Sequence, residues 1–362
     1  MSVPVLEDQV LLRPADLKPL APEFRVVGVF NPAAVEFEGE TVLLARVAEA
    51  PRKQEVGELV SPRATWQSGD PAWVLDTFDS EGAKTGDPRI FELPDGRVRL
   101  RYISHLCKVR LSDDGTTVAE ISCPRDLLPR EPWEELGLED PRISRIGDTF
   151  YITYVAISRS AGVVTALMTT TDFEHFERHG IIFPTENKNV VLLPELWNEH
   201  FVAYHRPVSH HGVDAPSVTT ALSPDRIFWG KHELLLAPRP NAWDSVKVGA
   251  GAPPVRLPEG WLLLYHGVGP ATAASPAGYY CVGAALLGAD DPTSVLARSP
   301  EPMISPERLY EREGYVPNVI FPTGALLSAD GLQLHLYVGA ADEVVVRLSV
   351  DTKAVLEHLG AA

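Results

Sequence analysis

Residues 139–157 read EDPRISRIGDTFYITYVAI, and this stretch decides the fold. A proline-marked loop leads into a short apolar strand. Gly147-Asp148 supplies a tight turn, and a second run rich in Tyr, Ile and Val follows. Two β-prone runs around such a turn read as an antiparallel hairpin. The same order of features recurs along the chain, as NPAAVEFEGETVLLARV (31–47), GDPRIFELPDGRVRLRYI (86–103), NVVLLPELWNEHFVAYHRP (189–207), GAPPVRLPEGWLLLYHGV (251–268) and FPTGALLSADGLQLHLYVGAAD (321–342). Glu38-Gly39, Asp95-Gly96, Glu259-Gly260 and Asp330-Gly331 mark the turns, and Trp197-Asn198 is the weakest of them. Repeats starting about 50–70 residues apart suit propeller blades with long loops. LSDDGTTV (111–118) and TTTDFEHFERHG (169–180) read as outer turns of blades, and only DTKAVLEHL (351–359) has a helical period.

Composition agrees with an all-β chain. The 362 residues include 32 prolines and 27 glycines, too many punctuators for long helices. A closed β architecture also lets residues 1–362 form one catalytic domain. Lys and Arg total 32 against 49 Asp and Glu, a net charge of −17. That excludes a general nucleic-acid binder, which needs a basic face. MSVPVLEDQV carries no signal-peptide pattern, and no apolar run approaches the ~20 residues of a membrane span. A cytoplasmic location with no membrane partner is therefore expected. Three widely spaced cysteines, Cys107, Cys123 and Cys281, predict neither a disulfide framework nor a zinc site. No metal ligation and no nucleotide-binding glycine loop is expected.

The polar residues sit at equivalent places in the repeats. Asn31, Asp87, Arg89, Glu139, Asp140, Arg142 and Lys188 lie near the start of the first strand; Arg46, His205, Arg206, His266 and Asp342 lie near the end of the second. In a propeller these positions converge at the funnel. Carboxylates there suit glycosidic bond cleavage, and a group of Arg, Lys and His beside them suits an anion such as phosphate.

At these residues the chain resembles glycoside hydrolase family 130, the inverting β-mannoside phosphorylases and related β-1,2-mannosidases. The carrying segments are FNPAAVEFEGETVLLARV, SHLCKVRLSDDG, GLEDPRISRIGDTFYITYVAIS, ERHGIIFPTENKNVVLLPE, HRPVS, KVGAGAPPV with GWLLLYHGV, YYCVGAALLGADDP, and VPNVIFPTGALL with YVGAAD. They run in family order from about residue 25 to 350. The resemblance implies a five-bladed β-propeller, one fewer than the six hairpins counted above. The excess falls in an inserted hairpin region near 50–103, where Trp66, Trp73 and the GDPRI hairpin would build a rim around the cleft.

The resemblance makes Asp140 the general acid, passing its proton through the 3-hydroxyl of the bound mannosyl unit. It implies that Arg46, Lys188, Arg206, His266 and one of Tyr279 and Tyr280 hold phosphate or the sugar beside it. Asn31, Glu139, Arg142, His205 and Asp342 match or flank family positions and are taken as substrate contacts. Asp87, in a second DPRI, joins them, although a strand-start turn explains it better. His210 and His211 match no motif and are read as solvated; Trp243, Trp261 and Tyr265 are read as core. Two departures stand out: Asn189 where the family motif has Asp, and Val338 where it has Tyr. Arg159 is a further anion contact to examine.

The implied activity is phosphorolysis of terminal β-mannosides, β-1,2-linked manno-oligosaccharides first, with inorganic phosphate as co-substrate and α-mannose 1-phosphate as product. No cofactor is expected. One alternative is an inverting β-1,2-mannosidase that uses water and takes Glu139, Glu195 or Asp87 as base. Another is a non-catalytic carbohydrate-binding propeller. Homo-oligomerisation is left open.

Overall fold

The computed structural model describes residues 2–361 except 68, 69, 113, 210, 211, 214 and 274. His210 and His211 thus lie outside the described residues. Five antiparallel sheets form the five blades of a β-propeller. Blade one holds Phe24–Phe37, Glu40–Pro51, Ile103–Leu111 and Val118–Ser122. Blade two holds Leu138–Ile146, Thr149–Ser158, Gly162–Thr170 and Glu177–Phe183. Blade three holds Asn187–Leu192, Phe201–Pro207, Val218–Ser223 and Gly230–Leu236. In blade four, Lys247–Ala250 and Val255–Leu257 both pair with Gly260–Gly269, followed by Tyr279–Leu287 and Val295–Arg298.

Blade five closes the ring. Ile320–Leu327, Gln333–Ala340 and Val344–Asp351 receive Val5–Leu12, from the far end of the chain, as outermost strand. A strand borrowed this way completes the last blade with the first segment of the chain and so ties the ring together. Each interface between neighbouring blades has its own apolar cluster. Leu44, Leu106, Ile152 and Ala166 join blades one and two; Leu167, Phe183, Val190 and Ala203 join two and three. Val202, Tyr204, Leu263 and Tyr265 join three and four; Leu264, Val282, Ile320 and Leu336 join four and five. Leu12, Val29, Leu43, Tyr337 and Val345 join five and one. The apolar residues of each strand therefore face a neighbouring blade on either side. That is why the strands read as nearly continuous hydrophobic runs rather than as clean alternation.

The hairpins fall where the turn chemistry put them. Glu38 and Gly39 both take positive φ (51° and 84°), the two-residue turn that matches strand twist. The sixth hairpin, Ile90–Glu92 with Val98–Leu100, is a separate two-stranded sheet. It belongs, with a second ribbon of Glu58–Gln67 and Asp70–Asp79, to an insertion between the second and third strands of blade one. The expected helix is present as Thr352–Leu359, with the Asp351 side chain accepting the Ala354 N–H. Among the described residues, no helix is long and apolar enough to cross a membrane.

One expectation fails. Cys107 and Cys123 are joined by a disulfide, and Cys281 is free and buried. A separation of 16 residues gives no sequence signal. The blade-one register pairs Lys108 with Ser122, so the next residues outward, Cys107 and Cys123, stand opposite one another.

Leu12 is 1% exposed at the seam between blades five and one. Leu12→Ala should destabilise the protein by about 2–5 kcal/mol through lost burial and a residual cavity, measured by urea denaturation. A loss below ~0.5 kcal/mol would show that this strand does not lock the ring.

Candidate active site

A cavity of about 750 Å³ opens on the propeller axis. Its floor is built from one repeated device. In blades one, two and three, the first strand carries one extra residue relative to its partner, between Phe30 and Ala33, Glu139 and Arg142, and Lys188 and Val191. At each of these bulges one residue takes positive φ: Asn31 (49°), Asp140 (48°) and Asn189 (56°). All three line the cavity. A bulge re-aims a side chain that the pleat would otherwise point into the blade interface. Asn and Asp are the non-glycine residues that tolerate this backbone best. The replacement of Asp by Asn at 189 therefore keeps the backbone role while removing the charge. Ala341 and Asp342 repeat the conformation at the end of the second strand of blade five (49° and 51°), and Asp342 also faces the cavity.

Arg46 ties the acidic side together. Its guanidinium donates to Glu139 Oε1 at 2.6 Å and to Asp140 Oδ1 at 2.9 Å. It also donates to the Tyr102 hydroxyl at 2.9 Å and the Ser104 hydroxyl at 3.1 Å, and it lies 4.6 Å from the centre of the Phe30 ring. Asn31 Nδ2 donates a further 2.8 Å bond to Asp140 Oδ1. Burial works to raise the Asp140 pKa, but Arg46, Arg142 and the Asn31 hydrogen bond outweigh it and hold the carboxyl below its ordinary value. Glu139 goes the other way: burial raises it, Asp140 adds to the rise, and Arg46 only partly offsets them. Asp342 is pushed up to about 6, by burial first and then by Asp140 and Glu139, against the pull of Arg89 and Arg46.

The opposite side is cationic. Lys188 Nζ lies 3.8 Å from Glu186 Oε1. Burial lowers the pKa of both Lys188 and Arg206; Arg206 adds to the lowering of Lys188, and nearby carboxylates only partly offset burial at each. Arg206 donates to His266 Nε2 at 3.2 Å. Because arginine can only donate, Nε2 must accept and the ring proton sits on Nδ1. Burial, then Arg206 and Lys247, keep this imidazole well below its usual pKa and hence neutral. His266 Nδ1 and Asn189 Nδ2 are buried without a protein hydrogen-bond partner. Tyr280 stacks on His266 at 6.0 Å between centroids, with Lys247 Nζ 5.0 Å from its own ring centre. Gly249 makes this packing possible, since a Cβ there would come within 2.4 Å of His266 Cε1 and 2.6 Å of Asn189 Nδ2. Around the whole wall, Lys and Arg outnumber Asp and Glu eight to five, although the chain carries −17.

Of the residues singled out from the sequence, Asn31, Arg46, Asp87, Glu139, Asp140, Lys188, Arg206, His266, Tyr280 and Asp342 line this cavity. Three others do not. Neighbouring strand residues point to opposite faces, and that separates Tyr279 from Tyr280 and His205 from Arg206. The Tyr279 hydroxyl donates to the Pro306 carbonyl at 2.9 Å. His205 stacks on Phe183 at 4.5 Å and contacts Asn187 and His232 inside the blade. Arg142 lies under the floor as a strut, 1% exposed, donating to the Gly251 carbonyl at 2.6 Å and to the carbonyls of Asp140 and Pro141.

Asp87 is gripped by Arg89 through two side-chain bonds of 3.0 and 2.8 Å. The inserted GDPRI hairpin does form one wall, with Arg89, Ile90, Val98 and Leu100. Trp66 and Trp73 are not part of the rim. They pack beside Phe24 and Ile103 on the flank of blade one, where Trp66 Nε1 donates to the Pro129 carbonyl. Trp243, Trp261 and Tyr265 are core, as expected. Arg159 sits at the mouth, held by Glu135 and Asp76. Sequence reasoning missed Tyr102 as a cavity residue and gave Asn189 no contact of its own; the bulge that exposes Asn189 leaves no trace in residue type beyond an Asn at the Asp140-equivalent place.

Residues 102–360 match the family described as beta-1,4-mannooligosaccharide phosphorylase, so the match begins just after the insertion. The chain is 36% identical over 363 residues to a beta-1,2-mannobiose phosphorylase of Listeria innocua, covering 99% of both. It is 36% identical over 248 residues to a 1,2-beta-oligomannan phosphorylase of a Thermoanaerobacter species, covering 68% of this chain and 78% of that one. A solved structure, the Listeria innocua beta-1,2-mannobiose phosphorylase in complex with beta-1,2-mannobiose, superposes with TM-score 0.88 at 35% identity over 97% of each chain.

The raised pKa of Asp342 carries a stability signature. Its carboxyl has an ordinary value of 3.8 and a folded value of about 6, so folding loses free energy as pH rises from about 4 through 6. Asp342→Asn should therefore unfold at a higher temperature than the wild type above pH ~6, with the gap closing towards pH ~4. Thermal unfolding across that range checks it; a gap independent of pH would contradict the burial of an ionised carboxylate.

Proposed function

The chain belongs to glycoside hydrolase family 130, and on that premise we propose that it is an inverting mannoside phosphorylase acting on β-1,2-linked manno-oligosaccharides, with Asp140 as general acid. The observation that carries the reading is the two-sided cavity. Asp140 is pinned by Asn31 and Arg46 on one side, and Lys188, Arg206, neutral His266 and Tyr280 stand on the other. Phosphate would lie on the cationic side, with the mannosyl unit between it and Asp140. The Listeria and Thermoanaerobacter relatives, with β-1,2 linkages in their names, support the substrate class.

In this reaction a phosphate oxygen attacks the anomeric carbon as the glycosidic bond breaks. The proton on Asp140 passes to the mannosyl 3-hydroxyl, which gives its own proton to the departing oxygen. The products are α-mannose 1-phosphate and the acceptor shortened by one sugar. Lys188 and Arg206 hold the nucleophile in line, a positioning effect that removes much of the entropic barrier. The His266 Nδ1–H and Asn189 Nδ2 are spare donors for phosphate or sugar oxygens.

Asp140 must hold a proton to act, yet Arg46 holds its pKa down. An anion settling between Lys188 and Arg206 adds negative charge to the cavity and raises the proton affinity of Asp140. Phosphate binding and protonation of the acid are thus coupled. Hydrolysis fits less well. Water would need a free carboxylate as base ~6.5–9.5 Å from the acid. Of the three candidates, Glu195 is exposed and off the cavity wall, Asp87 is held by Arg89, and Glu139 by Arg46.

Incubation with β-1,2-mannobiose should release mannose 1-phosphate only when phosphate is present; free mannose at the same rate without phosphate would make the enzyme a hydrolase. Asp140→Asn should lower kcat by ~10²–10⁴ with the fold retained, and near-normal turnover would remove Asp140 as the acid. Arg206→Ala should raise the KM for phosphate by roughly 10-fold or more, the value of one charge-assisted hydrogen bond, with little change in mannobiose affinity. Sulfate, which does not titrate near neutrality, should cause proton uptake on binding at mildly acid pH in the wild type. Uptake that persists in Asp140→Asn would assign the coupling to another carboxyl.

A further inference from the structure

Away from the cavity, His105 and Cys107 on strand Ile103–Leu111 meet Cys123, just beyond strand Val118–Ser122. One imidazole nitrogen and both sulfurs lie within 4.8 Å of one another. His105 is 2% exposed and Cys107 fully buried, whereas Cys123 is half-buried at the blade edge. The imidazole is oriented from behind. Nε2 lies 3.0 Å from Glu49 Oε1, and the Glu49 carboxylate is itself fixed by the Leu20 N–H at 3.0 and 3.1 Å. A carboxylate can only accept here, so Nε2 carries a proton, and in the neutral imidazole the Nδ1 lone pair faces Cys107 Sγ, 3.7 Å away. In the disulfide neither sulfur has a hydrogen to give. The buried Nδ1 therefore faces the Cys107 sulfur with no hydrogen to accept from it.

A histidine whose far nitrogen is held by a carboxylate, with its near nitrogen turned towards thiol sulfurs, is the arrangement of a metal-binding histidine and its supporting shell. We propose that reduction of the Cys107–Cys123 disulfide creates a binding site for Zn²⁺ or a similar thiophilic divalent cation, ligated by Cys107 Sγ, Cys123 Sγ and His105 Nδ1. A dithiol reductant supplies two electrons and two protons, breaks the S–S bond and becomes a disulfide itself. The incoming cation then displaces both thiol protons to solvent. Zn–S bonds of about 2.3 Å and Zn–N bonds of about 2.0–2.1 Å require ligand atoms roughly 3.3–3.8 Å apart. The separation between Nδ1 and Cys107 Sγ, 3.7 Å, already has that value, so Cys123 Sγ is the ligand atom that must move away from Cys107 Sγ. Cys123, at the half-buried edge, can do this by rotating about χ1. Three protein ligands leave the fourth position to water from the same open side. The outer hairpin of blade one would then be clamped by a covalent bond under oxidising conditions and by a cation under reducing ones.

The test uses the full chain, reduced with a dithiol, desalted without oxygen and titrated with Co²⁺. The expected result is one equivalent bound per chain, with a near-ultraviolet sulfur-to-cobalt charge-transfer band and visible bands of a tetrahedral site, both bleached by Zn²⁺. The unreduced protein should show neither. Cys123→Ser should weaken binding strongly and diminish the charge-transfer band, and Glu49→Gln should weaken it ~10–100-fold. If Glu49→Gln does not fold, Cys123→Ser alone decides. Absence of the charge-transfer band in the reduced protein, or a band of equal strength and affinity in Cys123→Ser, would overturn the proposal.

Discussion

The fork of Arg46 between Glu139 and Asp140 is the contact on which the site depends. Three charges are taken out of water together, which is expensive unless geometry and hydrogen bonding are close to ideal. Here they are met from several directions. Ser104 and Tyr102 take two further guanidinium protons, Phe30 lies beside its plane, and Asn31 supplies a second donor to Asp140. Burial works against the charge on Arg46, but Glu139, Tyr102 and Asp140 outweigh it and raise its pKa. Adjacent carboxylates are thereby driven apart in proton affinity, Glu139 upward and Asp140 downward. An acid–base site needs such a difference between chemically similar groups.

That fork can exist only because the innermost strands are bulged. Regular pleating would turn Asn31, Asp140 and Asn189 towards the blade interfaces. One inserted residue per strand turns all three towards the shared cavity. Close backbone packing locks the arrangement. A Cβ on Gly339 would come within 2.0 Å of Asn31 Oδ1, and Arg142 holds the carbonyls of the Asp140 bulge from below. The floor of the cavity is thus a property of the sheets themselves, while connecting segments such as those of Glu186, Pro216 and Val316 and the inserted hairpin complete the walls.

Much of this was legible in the sequence, and the boundary of legibility has physical causes. Turn residues such as Glu38-Gly39 and Asp330-Gly331 specify hairpins locally and give six of them; only the family resemblance makes five of these blades and the sixth an insertion. Asp140, Lys188 and Arg206 were found because repeated chemistry at equivalent places in a propeller must converge. Adjacent pairs were the weak point. Without the strand register, Tyr279 cannot be told from Tyr280, nor His205 from Arg206, because one-residue shifts exchange the faces. Arg142 was mistaken for a contact because a buried strut and a ligand-facing arginine use the same residue. The Cys107–Cys123 pairing was hidden for a related reason: it depends on which residues the hairpin register sets opposite one another, and a 16-residue spacing does not encode that.

The ring closure has a temporal side. Asn31 and Arg46 belong to the first blade made and Asp342 to the last, and Val5–Leu12 finds its partner only when Val344–Asp351 exists. The contacts that define the site therefore span nearly the full chain length, and such non-local pairings are slow to form. During synthesis the first segment must wait, unpaired, for the final one. Arg46 can fork onto Glu139 and Asp140 once blades one and two exist, but Asp342 reaches them only with the last blade.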